Sequence, residues 1–334
     1  MSDRDLDPRG KRRPWLRVAL GLAVTAALLA LLARYVDLED VRDVLVGADL
    51  SWVALGLVLY VALQAVRAVR FKLLAPEASM RLLLGVHAVH ALLLRVMPMR
   101  TGELGFAWLM RRSGAVGFTQ SLVSVLLLRI LDLASVLAVF AAALALFSGT
   151  FREDAAPNTA LAIGVGVVAA LAPLYLRHLL VLAHRVFDGA LAATRLARVS
   201  SVERGQRSLR TAVASTGTIP QRVLWQVTGL TVVQWAINFA LFWVLLEAMG
   251  IEVSVAQSIL GGTGSVLGGL LPLAGVGNFG PLEAGWSLGF AAVGVETESA
   301  VASAFGFSVI SFAYSVVVGA VGWISLPRPP ERDA

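Results

Sequence analysis

The sequence contains no cysteine, which excludes disulfides, thiolate metal sites and cysteine nucleophiles. Charged residues are also scarce: they make up 15% of the 334 residues, whereas soluble domains contain about 25%. Hydrophobic residues make up 57%, and the mean hydropathy is +0.78. This composition predicts an all-α polytopic membrane protein.

Basic residues outnumber acidic ones, and the net charge is +6. The segment 177–222 carries eight arginines against Asp188 and Glu203. In a membrane protein this excess indicates cytoplasmic loops and anionic lipid headgroups, so we predict no nucleic-acid partner. We expect a cytoplasmic tail at 1–14, one transmembrane domain at 15–325 and a second cytoplasmic tail at 326–334. Such a chain would be a multi-pass protein of the cell (inner) membrane.

Long apolar runs predict about six full transmembrane helices. They are placed at residues 18–33, 52–66, 122–146, 159–176, 224–246 and 301–324. The first run follows basic residues, as a signal peptide does, but no small-residue cleavage site follows it, so a retained helix is expected. Arg67 and Arg70 follow the second run, and we interpret them as positive-inside residues near the headgroups.

The stretch 268–285, GGLLPLAGVGNFGPLEAG, interrupts an apolar region with glycines, Pro272, Asn278 and Glu283. Glycine and proline break helices, and the backbone groups they free survive in lipid only when buried in protein or lining a wet cavity. We predict a helix that breaks near Pro272 and resumes near Pro281, with Glu283 in the new first turn. The alternative is a loop that leaves Glu283 at the water surface.

A second interruption occurs at MPMRTGELGFAWLMRR, residues 97–112. The apolar limb before it has about 16 residues, and the limb after Gly102 is shorter still, whereas a full crossing needs about 20. Both ends carry arginine. We therefore predict a re-entrant hairpin that enters and leaves on the cytoplasmic side, with Arg95, Pro98, Arg100, Gly102 and Glu103 at its tip.

Several polar residues lie within the predicted helices. Arg129 and Asp132 are three residues apart, so they share a helix face and can pair with each other, as a functional or a purely structural pair. Gln234 and Asn238 share another face and are expected to bond between helices. His87 and His90 are also three apart, but without nearby carboxylates we interpret them as packed side chains and predict neither a metal site nor a cofactor.

The two interrupted stretches correspond to each other in order and composition. Each contains proline, glycine and glutamate, each follows a predicted crossing, and each precedes a long apolar run. One is predicted to enter from the cytoplasm and the other from outside. Two oppositely oriented re-entrant hairpins in corresponding halves are typical of inverted-repeat transporters.

These motifs carry a family resemblance that extends over about residues 15–325. MPMRTGELGFAWLMRR, RILDL and LPLAGVGNFGPLEAG resemble elements of the membrane domain of lysylphosphatidylglycerol synthases, a group with stand-alone flippase-like members. The resemblance assigns functional positions to Arg100, Gly102, Glu103, Arg129, Asp132, Pro272, Gly277 and Glu283. Asn278 departs from the glycine more common there. The aminoacyl-transfer domain of bifunctional members has no counterpart in this sequence, so the resemblance implies lipid handling and not aminoacyl transfer.

The sequence therefore predicts a protein that binds or translocates an amphiphilic phospholipid between leaflets. Arg100 and Arg129 would attract the phosphate, because guanidinium suits bidentate contacts, while Glu103 and Glu283 would balance that charge or bind a cationic headgroup. At rest, Glu103 would neutralise Arg100. The alternatives are an enzyme acting on lipid-linked sugars or phosphates, with Glu103 or Asp132 as acid–base, and an accessory factor that recruits an enzyme. A homo-oligomer is compatible with each.

Overall fold

The computed structural model describes residues 42, 45–97, 102–147, 159–192, 210–211, 213–214, 216, 219–270 and 280–326. Ten helices make up most of these residues. In chain order they are α1 (Leu50–Leu74), α2 (Met80–Val96), α3 (Gly102–Arg112), α4 (Phe118–Leu146), α5 (Thr159–Ala170), α6 (Ala172–Ala192), α7 (Gln221–Ala248), α8 (Val255–Leu270), α9 (Pro281–Ala292) and α10 (Thr297–Ser325). No strand occurs in the described part of the chain, as the all-α prediction requires.

Four of these helices, α1, α4, α7 and α10, are long and apolar enough to cross a membrane. They have 25 to 29 residues, which at 1.5 Å per residue exceeds a hydrocarbon core of about 30 Å. Each includes one predicted crossing and extends beyond it. The predicted first crossing, 18–33, lies outside the described residues, as do residues 1–14 and 327–334 of the tails and 193–209 of the basic segment.

The predicted crossing 159–176 is not one continuous helix. The structure has the 12-residue α5, a break at Leu171, and then α6, which continues to Ala192. Pro173 explains the break, because proline is tolerated in the first turn of a helix and not in its interior. Helix α6 therefore begins inside the apolar run and continues into the basic segment 177–222.

The first predicted hairpin corresponds to α2 and α3. Ser79 caps α2 by accepting a hydrogen bond from the Leu82 amide at 3.3 Å. At the start of α3, a Cβ on Gly102 would lie 2.9 Å from the backbone of Leu93, so only glycine fits here without displacement. The tip itself, residues 98–101 with Pro98 and Arg100, lies outside the described residues.

The second hairpin corresponds to α8 and α9. As predicted, α9 begins at Pro281 and carries Glu283 in its first turn. Gly280 precedes it with φ 119°, a conformation that favours glycine. The predicted tip residues Pro272, Gly277 and Asn278 belong to the stretch 271–279, which the structure does not describe.

The two limbs of this second hairpin meet backbone to backbone. A Cβ on Gly264 would lie 2.3 Å from the Gly285 carbonyl oxygen, and one on Gly268 would lie 2.0 Å from the Pro281 carbonyl oxygen. A Cβ on Gly289 would lie 2.1 Å from the carbonyl oxygen of Gly261. We call this contact the glycine seam. Small residues bring membrane helices together in this way because no side chain separates their backbones.

The remaining packing includes two large hydrophobic clusters. One surrounds Phe71, Phe106 and Leu131, and includes side chains from all four helices α1, α2, α3 and α4. The other surrounds Trp286 and Phe307, whose rings stack with centroids 4.5 Å apart, and joins α7 to α10. In addition α1 packs along α7 and α2 packs along α10, so the two halves of the chain are interleaved.

Candidate functional site

Two adjoining cavities lie among these helices, with volumes of about 110 and 210 Å³. They share the lining residues Arg67, Leu94, Arg129, Asp132 and Trp235, and we call them together the charged cavity. The first cavity is also lined by Arg70, Phe71, His87, His90, Phe106, Val125, Leu128 and Gln234. The second is also lined by Arg95, Leu133, Asn238, Phe242, Ser265, Val266, Gly269, Leu282 and Phe307.

Arg70 and Asp132 form the most buried ion pair at this cavity. Nη2 of Arg70 lies 2.8 Å from Oδ1 of Asp132, and their side chains are 2% and 13% exposed. Gln234 completes the arrangement: its Oε1 accepts from Arg70, and its Nε2 donates to Asp132 Oδ1 at 3.3 Å. Burying a charge is costly unless it is paired and hydrogen-bonded. This group therefore fixes α1, α4 and α7 to one another.

A second ion pair lies closer to water. Nη2 and Nε of Arg129 each lie 3.1 Å from Oε1 of Glu103. The side chains are 36% and 27% exposed, so solvent screens this pair more than the first. It connects α4 to the second residue of α3, where a carboxylate also benefits from the helix dipole.

Two further arginines at the cavity have no carboxylate partner within the described ranges. Arg67 donates only to Oε1 of Gln64, at 3.4 Å. Arg95 places its guanidinium carbon 6.0 Å from the ring centroid of Phe307, at the outer limit of a cation–π contact. Among the described residues, the ion pairs of the four arginines thus involve Asp132 and Glu103 alone, which leaves an excess of positive charge inside a membrane-length helix bundle.

Several buried donors at the same cavity also lack a partner. They include Nε of Arg70 and Nε1 of Trp235, both of which can only donate. Nε2 of His87 and of His90 also has no partner among the described residues, it donates or accepts according to the tautomer, and both rings pack against Phe106. Buried polar groups are normally hydrogen-bonded, so the unpaired donors of Arg70 and Trp235 favour a ligand with acceptor oxygens.

Glu283 lies in the protein interior and not at the water surface, so the alternative of an exposed loop position is wrong. Its side chain is 1% exposed. Oε1 accepts from the Ser308 hydroxyl, and Oε2 accepts from the Gly280 amide at 2.6 Å. The next residue towards the N-terminus, Leu282, lines the charged cavity. Glu283 thus fixes the start of α9 against α10 beside that cavity.

The family model described as lysylphosphatidylglycerol synthase TM region matches residues 18–319. The chain belongs to this family. No curated protein and no solved structure matches it. The family match agrees with the resemblance carried by the three motifs, and it extends over all ten helices except the last turns of α10.

Within this member of the family, three predicted site residues line the charged cavity: Arg95, Arg129 and Asp132. A fourth, Glu103, does not line it but pairs with Arg129. The predicted pairing of Arg129 with Asp132 is wrong, because each pairs with a residue from another helix. The described partner of Glu103 is Arg129. The predicted pairing of Glu103 with Arg100 lies outside the described residues.

Sequence analysis missed the contribution of α1. Arg70 is 2% exposed and Arg67 lines both cavities, so neither is the headgroup-facing residue that we expected. The observed helix extends to Leu74, beyond the predicted end at residue 66, and this places both arginines inside it. The available signal was the pair of polar residues Gln64 and Arg67, one turn apart in an apolar helix. Gln234 was correctly expected to bond between helices.

Proposed function

We propose that this protein translocates a phospholipid between the two leaflets of the membrane. The observation that carries the proposal is the charged cavity, which brings Arg67, Arg70, Arg95 and Arg129 together, whereas the ion pairs that the described residues form there involve two carboxylates, Asp132 and Glu103. Arg67 and Arg95 have no ion-pair partner in the described part of the chain. A phosphodiester supplies the missing negative charge and accepts the bidentate hydrogen bonds that guanidinium groups offer.

The arrangement of the helices supports a transporter. The order long, short, short, long occurs twice: 25, 17, 11 and 29 residues in α1–α4, then 28, 16, 12 and 29 in α7–α10. Short, interrupted helices in corresponding halves are a feature of inverted-repeat transporters, whose binding sites lie where the repeats meet. We infer that α2–α3 and α8–α9 are oppositely oriented re-entrant hairpins and that the charged cavity is their shared site.

An enzymatic function has less support from the same geometry. Asp132 and Glu103 are the acid–base candidates, yet each carboxylate is already bound by a guanidinium at about 3 Å. A neighbouring guanidinium favours the charged carboxylate over the protonated acid, which disfavours a general-acid role. The unpartnered groups at the cavity are cations and donors, which suit binding of an anion and its release.

The experiment is a translocation assay with purified protein in liposomes. Phosphatidylglycerol with a fluorescent acyl chain is added, and its loss of protection from a membrane-impermeant quencher is followed over time. We expect protein-dependent exchange and about a tenfold slower rate for Arg67→Gln, because a charge-assisted hydrogen bond contributes about 1.5–3 kcal/mol. Arg222→Gln is the matched control, since Arg222 is exposed at the start of α7 and does not line the cavity.

Lipids are extracted at the end of the assay and analysed by mass spectrometry. Unchanged lipid with protein-dependent exchange supports translocation. A new lipid product supports an enzyme instead. Exchange no faster than in protein-free liposomes, in both phosphatidylglycerol and cardiolipin membranes, would contradict the proposal.

A further inference from the structure

A second, apolar space lies on the outside of the bundle. This groove has a volume of about 560 Å³ and runs between α1, α2 and α10. Its walls include Val61, Leu84 and Val321, which are 48%, 40% and 62% exposed. Its floor is the contact of α2 with α10, where a Cβ on Gly322 would lie 2.5 Å from the Ala88 Cβ. The groove is therefore open to its surroundings on one side and closed by a tight helix contact on the other.

The length of the groove matches one leaflet. Its α10 wall extends from Val317 to Ser325, which at 1.5 Å per residue is about 12 Å. Half of a hydrocarbon core of about 30 Å is about 15 Å. Helices of membrane-spanning length are surrounded by lipid. A lipid acyl chain is apolar and has about the length of this groove.

One end of the groove carries an exposed cation. Arg81 lines the groove from the first turn of α2, and it forms no ion pair with the residues that the structure describes. The positive end of the helix dipole disfavours a cation at this position. An arginine here therefore gains from an anionic partner that comes from outside the chain.

One wall of the groove adjoins the charged cavity. Gln64 is 3% exposed and lines the groove, and its Oε1 accepts the hydrogen bond from Arg67. Its Nε2 is buried without a partner. One glutamine side chain thus lies between the apolar groove and the cation-lined space, and it has a free donor for an oxygen that passes between them.

We propose that this groove binds one anionic glycerophospholipid, with an acyl chain along α10 and the phosphate at Arg81. The headgroup then lies at the membrane surface, and the chain extends inwards as far as Gln64. The site extends the proposed function, because a lipid held here is placed to enter the charged cavity. It also stands by itself: lipid can bind in the groove whether or not the protein moves it across the membrane.

The test is photolabelling with phosphatidylglycerol that carries a diazirine in its acyl chain. The full-length protein in nanodiscs is irradiated, and labelled peptides are located by mass spectrometry. We expect labels within 57–65, 84–88 and 317–325. Excess phosphatidylglycerol should remove them, and excess phosphatidylcholine should not.

Two pairs of variants test whether the labelled lipid lies in the groove. Val321→Trp fills the groove and should abolish labelling of 317–325, whereas Val316→Trp, 41% exposed on the same helix but not in the groove, should not. Arg81→Gln should raise the concentration of phosphatidylglycerol needed for half-maximal labelling about fivefold, since one cation near the surface contributes about 1 kcal/mol. Arg222→Gln, an exposed arginine elsewhere, should leave it unchanged.

Equal competition by the two lipids, or equal labelling of the two tryptophan variants, would overturn the groove site. The translocation assay separates this result from the proposed function. If Val321→Trp loses labelling and translocation continues at the wild-type rate, the groove binds lipid but does not supply the cavity. If neither the wild type nor any variant translocates lipid but selective labelling persists, the groove site is confirmed and the proposed function is wrong.

Discussion

The guanidinium of Arg70 lies 2.8 Å from the carboxylate of Asp132, at the middle of the membrane-length helix α4. Each group is buried, and each would be an isolated charge without the other. The Gln234 side chain bonds to both. Three helices that are far apart in the sequence are therefore joined through one polar group.

We expect Arg70→Gln to destabilise the protein by about 3–5 kcal/mol, because removing one partner leaves the other charge buried and uncompensated. Thermal unfolding of the detergent-solubilised variant measures this as a lowered midpoint. The double variant Arg70→Gln, Asp132→Asn removes both charges and should recover most of the loss. A double variant as unstable as the single one would show that packing, and not charge, sets the cost.

The second pair should behave differently. Glu103→Gln should cost less than about 1 kcal/mol of stability, because the Glu103–Arg129 pair is partly exposed and screened. It also frees Arg129 for a ligand. We expect phosphatidylglycerol to bind about fivefold tighter in nanodiscs, which corresponds to about 1 kcal/mol, and to dissociate more slowly. Unchanged affinity would mean that Arg129 does not contact the phosphate.

The glycine seam gives a steric prediction. Gly264→Ala places a methyl group 2.3 Å from the Gly285 carbonyl oxygen, so the limbs of the hairpin must separate. We expect a loss of about 1–3 kcal/mol in thermal unfolding, the range for overpacked sites. Gly229→Ala is the matched control, because that helical glycine has no neighbouring atom within 4 Å of an added Cβ. Alanine has the higher helix propensity, so this control should be neutral or stabilising. A control as unstable as Gly264→Ala would show that the loss does not come from the seam.

The proposed re-entrant arrangement of α2 and α3 can be tested directly, since the chain has no native cysteine. Single cysteines at Glu77 and Arg112, both exposed, should react with a membrane-impermeant thiol reagent from the same side. A cysteine at exposed Glu298, at the start of α10, should react from the opposite side. Labelling of Glu77 and Arg112 from different sides would require a full crossing between them.

The helical part of this fold was largely predictable because membrane helices can be recognised in a sequence by their length and apolar composition. The helix start at Pro281 also followed from the sequence, since proline at a first turn and a glutamate beside it are local signals. The ends of α1 did not follow. The apolar run ends at residue 66, but α1 continues to Leu74 because Arg70 is paired with Asp132 on another helix. This ion pair is a tertiary contact, so the sequence around residue 66 contains no signal for it.

The site was predicted only in part, again because ion pairing between helices depends on tertiary contacts. Spacing alone suggests that Arg129 and Asp132 pair with each other, since they share a helix face. In the structure each side chain instead reaches a different helix, α3 or α1. Which neighbour lies beside which face depends on the packing of the whole bundle. The sequence therefore identified charged residues at the site but not their partners.

The glycine seam has a mechanical consequence for the second hairpin. Where the seam joins backbone to backbone it contains no side-chain rotamers that could repack, so we expect α8 and α9 to move as one unit. The unit contacts its neighbours through larger groups, among them Trp286 against Phe307. Since Phe307 and Leu282 line the charged cavity, a small tilt of the whole unit changes the width of that cavity without unfolding either limb.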